Sequence, residues 1–159
     1  WYAGELKTTH ASIRAYQQSV YYGGDWKPEY QRWVDMLGDM YTGPDRERVA
    51  WNQALASDMV YNQPVLHEFG NIRVPTTLFI GQKDRTAFGK ALAPKAVADT
   101  LGDYPALGRR AAQAIPGARL VTFDDLGHSP QVQAPERFEA ALLQALQRDT
   151  AAATSPASP

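Results

Sequence analysis

The sequence contains no cysteine, which removes disulfides, thiolate nucleophiles and cysteine-held metal sites together. Histidine is sparse as well. His10, His67 and His128 are too scattered for a spacing-based zinc motif, so no metal is expected. Neither sign of charge is in surplus: 16 basic residues stand against 17 acidic ones, for a net charge of -1. Nothing is left over to neutralise a run of phosphates, and nucleic acid is not an expected partner. No apolar run approaches the roughly 20 residues that a membrane-spanning helix needs, and no charged-then-apolar leader opens the chain. The lack of cysteine suits bacterial cytoplasm and periplasm alike. An initiator methionine is also missing, since the chain opens Trp1-Tyr2-Ala3; a preceding polypeptide is therefore expected.

What is present is an ordinary globular composition, 44% hydrophobic and 21% charged over 159 residues, enough for one packed core. Residues 1–70 read as helices separated by turns. Tyr30, Trp33, Val34, Leu37, Met40 and Tyr41 fall on one helical stripe, with Asp25 and Pro28 suiting its start and Gly43-Pro44 its stop. Ile13, Tyr16 and Val20 before it, and Val49, Trp51, Leu55 and Met59 after it, form further amphipathic stretches. All four tryptophans and seven of the eight tyrosines lie in this part, which predicts an aromatic helical layer with Trp33 and Trp51 in its core.

After Gly70 short apolar runs alternate with helices, the pattern of parallel strands joined by crossovers. Residues 74–80 read as a strand with Pro75 near its entry, 105–115 as a helix, 119–123 as a second strand, and the segment from Pro135 as a last helix with Phe138, Leu142, Leu143 and Leu146 on its apolar stripe. Residues 149–159, mostly Ala, Ser, Thr and Pro, read as a disordered tail. A pair of parallel strands leaves two open edges and two faces to cover, so further strands are expected outside this sequence.

Two titratable residues stand just past the two strands: Asp84 in Gly81-Gln82-Lys83-Asp84-Arg85, and His128 in Asp124-Asp125-Leu126-Gly127-His128-Ser129-Pro130. The carboxyl ends of strands in an open α/β sheet are where catalytic groups gather. A carboxylate on one imidazole nitrogen fixes the tautomer and stabilises the imidazolium, leaving the other nitrogen free to take a proton from a nucleophile. Asp124 and Asp125 are rival acids, but within one turn of His128 they would need to fold back. Gly127 is expected to allow a sharp turn before His128. Tyr21 and Tyr22, followed by Gly23-Gly24, are candidates to line a substrate pocket, although packing between helices is the simpler use of them. Phe88-Gly89-Lys90 lies just beyond Asp84, as part of a loop near the site.

At these positions the sequence resembles the α/β-hydrolase fold family. The first strand with Gly81-Gln82-Lys83-Asp84, the second with Gly127-His128-Ser129-Pro130, and Gln133-Ala134-Pro135-Glu136-Arg137-Phe138 opening the last helix match its closing segment in order. The resemblance implies an α/β fold of which this chain is the C-terminal portion: a helical cap over residues 1–70, the end of the hydrolase core over 71–148, and the tail. In that family the order is nucleophile, acid, histidine. None of the six serines has glycine two residues away on both sides, and no aspartate occupies such an elbow, so the nucleophile is absent from this sequence. The resemblance then implies catalytic roles for Asp84 and His128, no cofactor, and a partner: the N-terminal half of the same hydrolase as a companion chain. The parent enzyme would hydrolyse an ester, lactone or related small substrate through a Ser-His-Asp triad. An aspartate nucleophile, giving an epoxide hydrolase or dehalogenase, is the first alternative. A noncatalytic binding member of the same fold is the second.

Overall fold

The computed structural model describes residues 1–154. Its first part is a layer of short helices. Helix α1 (Tyr2–Glu5) is followed by α2 (His10–Tyr16), whose start is closed by a reciprocal box: the Thr9 hydroxyl accepts from the Ser12 amide at 3.1 Å, and the Ser12 hydroxyl accepts from the Thr9 amide at 2.9 Å. Helix α2 runs straight into one π-helical turn, Gln17–Tyr21. A 3-10 turn at Pro28–Tyr30 begins α3 (Gln31–Thr42), and α4 (Arg46–Asn62) packs back against α1 and α3.

Ile13, Val34, Tyr41 and Ala50 form the core of this layer, with Tyr2, Leu6, Trp26 and Leu37 packed around them. The stripe expected on α3 buries Tyr30, Val34 and Tyr41, whereas Met40 is exposed. Trp51 does not enter the core and is 52% exposed. Helix α4 buries instead its small residues Ala50 and Ala54, four apart on one face. With alanines at the contact, Trp51, Leu55 and Met59 are left pointing outward.

A 3-10 segment, Val65–Asn71, leads to β1 (Thr77–Gly81), which pairs in parallel with β2 (Arg119–Phe123) in the register Thr77 to Arg119 through Gly81 to Phe123. Strand β1 begins at Thr77, after Pro75, because proline has no amide to give to a ladder. Between the strands lie a 3-10 turn at Lys90–Leu92, the short α5 (Lys95–Ala98) and α6 (Tyr104–Ala114), the last started by the Asp103 side chain accepting from the Ala106 amide. Alternation places Phe79 and Ile80 on opposite faces. Ile80 packs into the space over Gly108 of α6, where an added Cβ would come within 2.8 Å of it. Phe79 and Phe123 meet Phe138 at ring separations of 5.3 and 6.3 Å.

Phe138 belongs to α8 (Pro135–Thr154), which follows a single turn α7 (Pro130–Gln133). Two layers of helix thus sandwich the strand pair, with α6 on one face and α8 on the other. On α8, Ala145 is buried while Leu143 and Leu146 are more than half exposed, so the expected apolar stripe is covered only in part. Helix α8 continues past residue 149, where a tail is expected from composition. Asp149 is tied to Arg119 of β2 by an ion pair, which holds this turn to the sheet. The rest of the expected tail, 155–159, lies outside the described residues.

Candidate active site

The two strands end side by side, and the loops that follow them remain zipped together. The Gln82 amide donates to the Phe123 carbonyl and the Lys83 amide to the Leu126 carbonyl, each at 2.9 Å. This brings together residues 44 apart in the chain: His128 Nδ1 lies 2.9 Å from Asp84 Oδ2. Asp84 is buried, at 4% exposure. Its other oxygen, Oδ1, accepts from the Thr86 amide at 2.8 Å, and the Thr86 hydroxyl lies 3.1 Å from the same His128 Nδ1. Burial pushes the Asp84 carboxyl up, but the hydrogen bonds from His128 and from the amide and hydroxyl of Thr86 outweigh it and hold the carboxyl below its ordinary value.

His128 is positioned from a third direction. Its amide donates at 2.9 Å to the carbonyl of Tyr21, in the π-helical turn of the helical layer, and the Tyr21 ring lies 4.4 Å from the imidazole. Gly127 makes this approach possible. Its φ is not positive, so the turn expected of it is not the reason for glycine. An added Cβ would stand 2.1 Å from the Tyr21 carbonyl oxygen, and one on Gly81 would stand 1.9 Å from the Gly127 carbonyl oxygen. Strand end, histidine loop and helical layer therefore meet backbone to backbone. The Gln133 side chain, one turn further on, accepts from the Gly127 amide at 2.8 Å.

The adjacent tyrosines expected to line a pocket differ in setting. Tyr21 covers His128. Tyr22 is buried at 3% exposure and stacks on Tyr30 with rings 4.1 Å apart, a packing position, and burial pushes its hydroxyl up to about 12. Tyr16 and Tyr104 join the site instead. Tyr16 packs edge-on against Tyr21 at 5.4 Å, and Tyr104 stands 6.2 Å from His128. Burial and the nearby Asp84 carboxylate raise the hydroxyls of Tyr16 and Tyr21, which stay protonated donors.

Of the rival acids, Asp125 grips Arg137 with both oxygens, at 2.8 and 2.9 Å, and the Arg137 hydrogen bonds hold its carboxyl down at about 2. Asp124 is exposed. His10 lies 2.9 Å from Asp39 on the helical layer, and His67 is exposed. Among the described residues no cluster of side chains is arranged to hold a metal ion, and no helix is long and apolar enough to cross a membrane. Sequence reasoning missed Thr86, Tyr16 and Tyr104. Thr86, two residues past Asp84, had the one usable signal: a hydroxyl and an amide placed to turn back onto the acid.

No curated protein matches this chain. The crystal structure of a probable hydrolytic enzyme from Pseudomonas aeruginosa PAO1 superposes with a TM-score of 0.89 at 53% identity, covering 92% of this chain and 47% of that one. The enol-lactonase from Burkholderia xenovorans LB400 shares the fold, with a TM-score of 0.62 at 24% identity over 92% of this chain and 48% of that one. The chain thus spans about half the length of each. The model of the alpha/beta hydrolase family matches residues 5–141, which include both strands, Asp84, His128 and the helical layer that covers them, and the chain belongs to that family.

Proposed function

We propose that this chain supplies the base and the orienting acid of a hydrolase that acts by acyl transfer on an ester, lactone or related small substrate. The observation that carries the reading is the Asp84-His128 contact of 2.9 Å, with His128 about one-third exposed and Asp84 buried. With Nδ1–H given to Asp84, the Nε2 lone pair is left to act as the base. His128 accepts the proton of an attacking hydroxyl, and the imidazolium so formed is stabilised by Asp84, which stays ionised. The proton then passes to the leaving oxygen. In the second half, water attacks the acyl group, giving its proton to His128, which returns it to the nucleophile.

The nucleophile and its oxyanion hole come from a companion polypeptide, the N-terminal half of the same hydrolase, and residues 1–70 serve as the cap over the site. The surface supports such a partner: Trp51, Leu55 and Met59 on α4 and Leu143 and Leu146 on α8 all point outward. Both outer edges of the strand pair are unpaired among the described residues, and bare edges beside exposed apolar side chains call for a covering chain. The test is His128→Ala in the complete protein, which should abolish turnover of a 4-nitrophenyl ester at an unchanged far-ultraviolet circular dichroism spectrum. Retained turnover removes His128 from the chemistry.

A further inference from the structure

A cavity of about 870 Å³ opens between the helical layer and the loop that follows β1. The loop that holds Asp84 and Thr86 against His128 continues as its floor, since Arg85 and Ala87, on either side of Thr86, both line it. Tyr16, in the opposite wall, packs on the Tyr21 ring that covers His128. The Tyr16 and Tyr21 rings thus stand between this cavity and the imidazole, which suits it to the part of a substrate remote from the reacting bond.

Its walls are chemically uneven. Trp1 and Phe88 meet at 5.0 Å and give it an apolar side. Two cations also line it. Arg85 donates through Nη1 to the carbonyls of Gln82 and Asp84, at 3.2 and 2.6 Å, and Lys90 donates to the carbonyl of Leu101 at 3.1 Å. Neither meets a carboxylate among the described residues. Glu5 is the acid in the wall, and its Oε2 accepts the Tyr41 hydroxyl at 2.5 Å. The lining so keeps a net positive charge. Among the described residues the half-buried Lys90 ammonium is held only by a neutral carbonyl, and a cation in such surroundings gains most from an arriving anion.

We propose that this cavity selects an ester or lactone with an apolar body that ends in a carboxylate, the carboxylate taken by Lys90 and Arg85 and the body lying against Trp1 and Phe88. The inference rests on the hydrolase reading above. It makes Lys90 and Arg85 determinants of specificity, distant from the reacting atoms, so their loss raises KM for an anionic substrate and spares kcat.

The complete protein is assayed with 4-nitrophenyl hydrogen pimelate and with its neutral methyl ester. The expected result is a higher kcat/KM for the acid at low ionic strength, a preference that falls roughly tenfold in Lys90→Gln and in Arg85→Gln and is kept in Lys90→Arg. The ratio of the two substrates is the readout, so a general loss of folded enzyme cancels. No preference in the unaltered protein, or a preference unchanged in both glutamine variants, overturns the inference. Hydrolysis of both substrates that survives His128→Ala overturns the underlying hydrolase reading instead, so the two failures are told apart.

Discussion

Replacing Asp84 by Asn changes one oxygen to NH₂, and the surrounding donors dictate which one. Oδ1 accepts from the Thr86 amide at 2.8 Å, in a buried setting where a backbone N–H cannot turn away. The oxygen of the new carboxamide is therefore held by Thr86, and its NH₂ is driven towards His128 Nδ1, 2.9 Å from the present Oδ2. A donor in that place requires Nδ1 to accept. The imidazole then carries its proton on Nε2, the nitrogen proposed as the base. Loss of that tautomer, together with loss of the anion facing the imidazolium, costs about 10⁴ in kcat, or about 5.5 kcal/mol of barrier, with KM little changed. Asp125→Asn is the control: its carboxylate serves an exposed pair with Arg137, and the expected change in turnover is below about threefold. Steady-state kinetics on the two variants of the complete protein decide the matter. A loss at Asp125 equal to or larger than that at Asp84 refutes the assignment. The same pair gives a stability readout. The Asp84 carboxyl is held below its ordinary value when folded, so it contributes stability above the ordinary carboxylate range that is lost as the pH falls through that range and below it. Asp84→Asn should flatten the acid side of the stability curve.

Gly127→Ala forces the Tyr21 carbonyl, 2.1 Å from the new Cβ, to withdraw by roughly 1.5 Å to reach the contact distance of ordinary packing, and the bond from the His128 amide goes with it. Overpacking plus that lost bond should cost about 2–4 kcal/mol, read as a lowered thermal midpoint together with reduced kcat; a variant as stable and active as its parent would dismiss the close approach as unimportant. Thr86→Val removes a hydroxyl that touches His128 Nδ1 while keeping the amide on Asp84. It should lower kcat roughly tenfold at unchanged KM, and Thr86→Ser should restore most of it; equal losses in both variants would assign the effect to packing.

The parts of this molecule legible in its sequence are those governed by neighbours along the chain. The two strands announce themselves as short apolar runs ending in glycine or in an Asp-Asp turn, and α6 and α8 are marked by Asp103-Tyr104-Pro105 and by Pro135-Glu136. Asp84 and His128 could be singled out because each follows a strand directly, so that adjacency of the strands was enough to bring 2.9 Å within reach. Where contacts come from elsewhere in the fold, periodicity misleads. Helix α4 carries an apolar face through Trp51, Leu55 and Met59, yet the face it turns to α1 and α3 is the one with Ala50 and Ala54. Nothing within the 17 residues of that helix tells which side the neighbours occupy.

Gly127 shows the same limit at the site itself. Before His128 a glycine suggests a tight turn, a local explanation, whereas its backbone is unexceptional and the missing side chain makes room for the carbonyl of Tyr21, from a distant part of the chain. Tyr21 is placed there by one π-helical turn, which no spacing of apolar residues encodes. The histidine therefore depends on three separate parts of the chain: the strand that carries Asp84, its own loop braced by Gln133, and the helical layer. A site assembled this way responds to changes far from its chemistry. Gly127→Ala is expected to disturb His128 through the Tyr21 carbonyl even though it leaves Asp84, Thr86 and the imidazole ring unaltered.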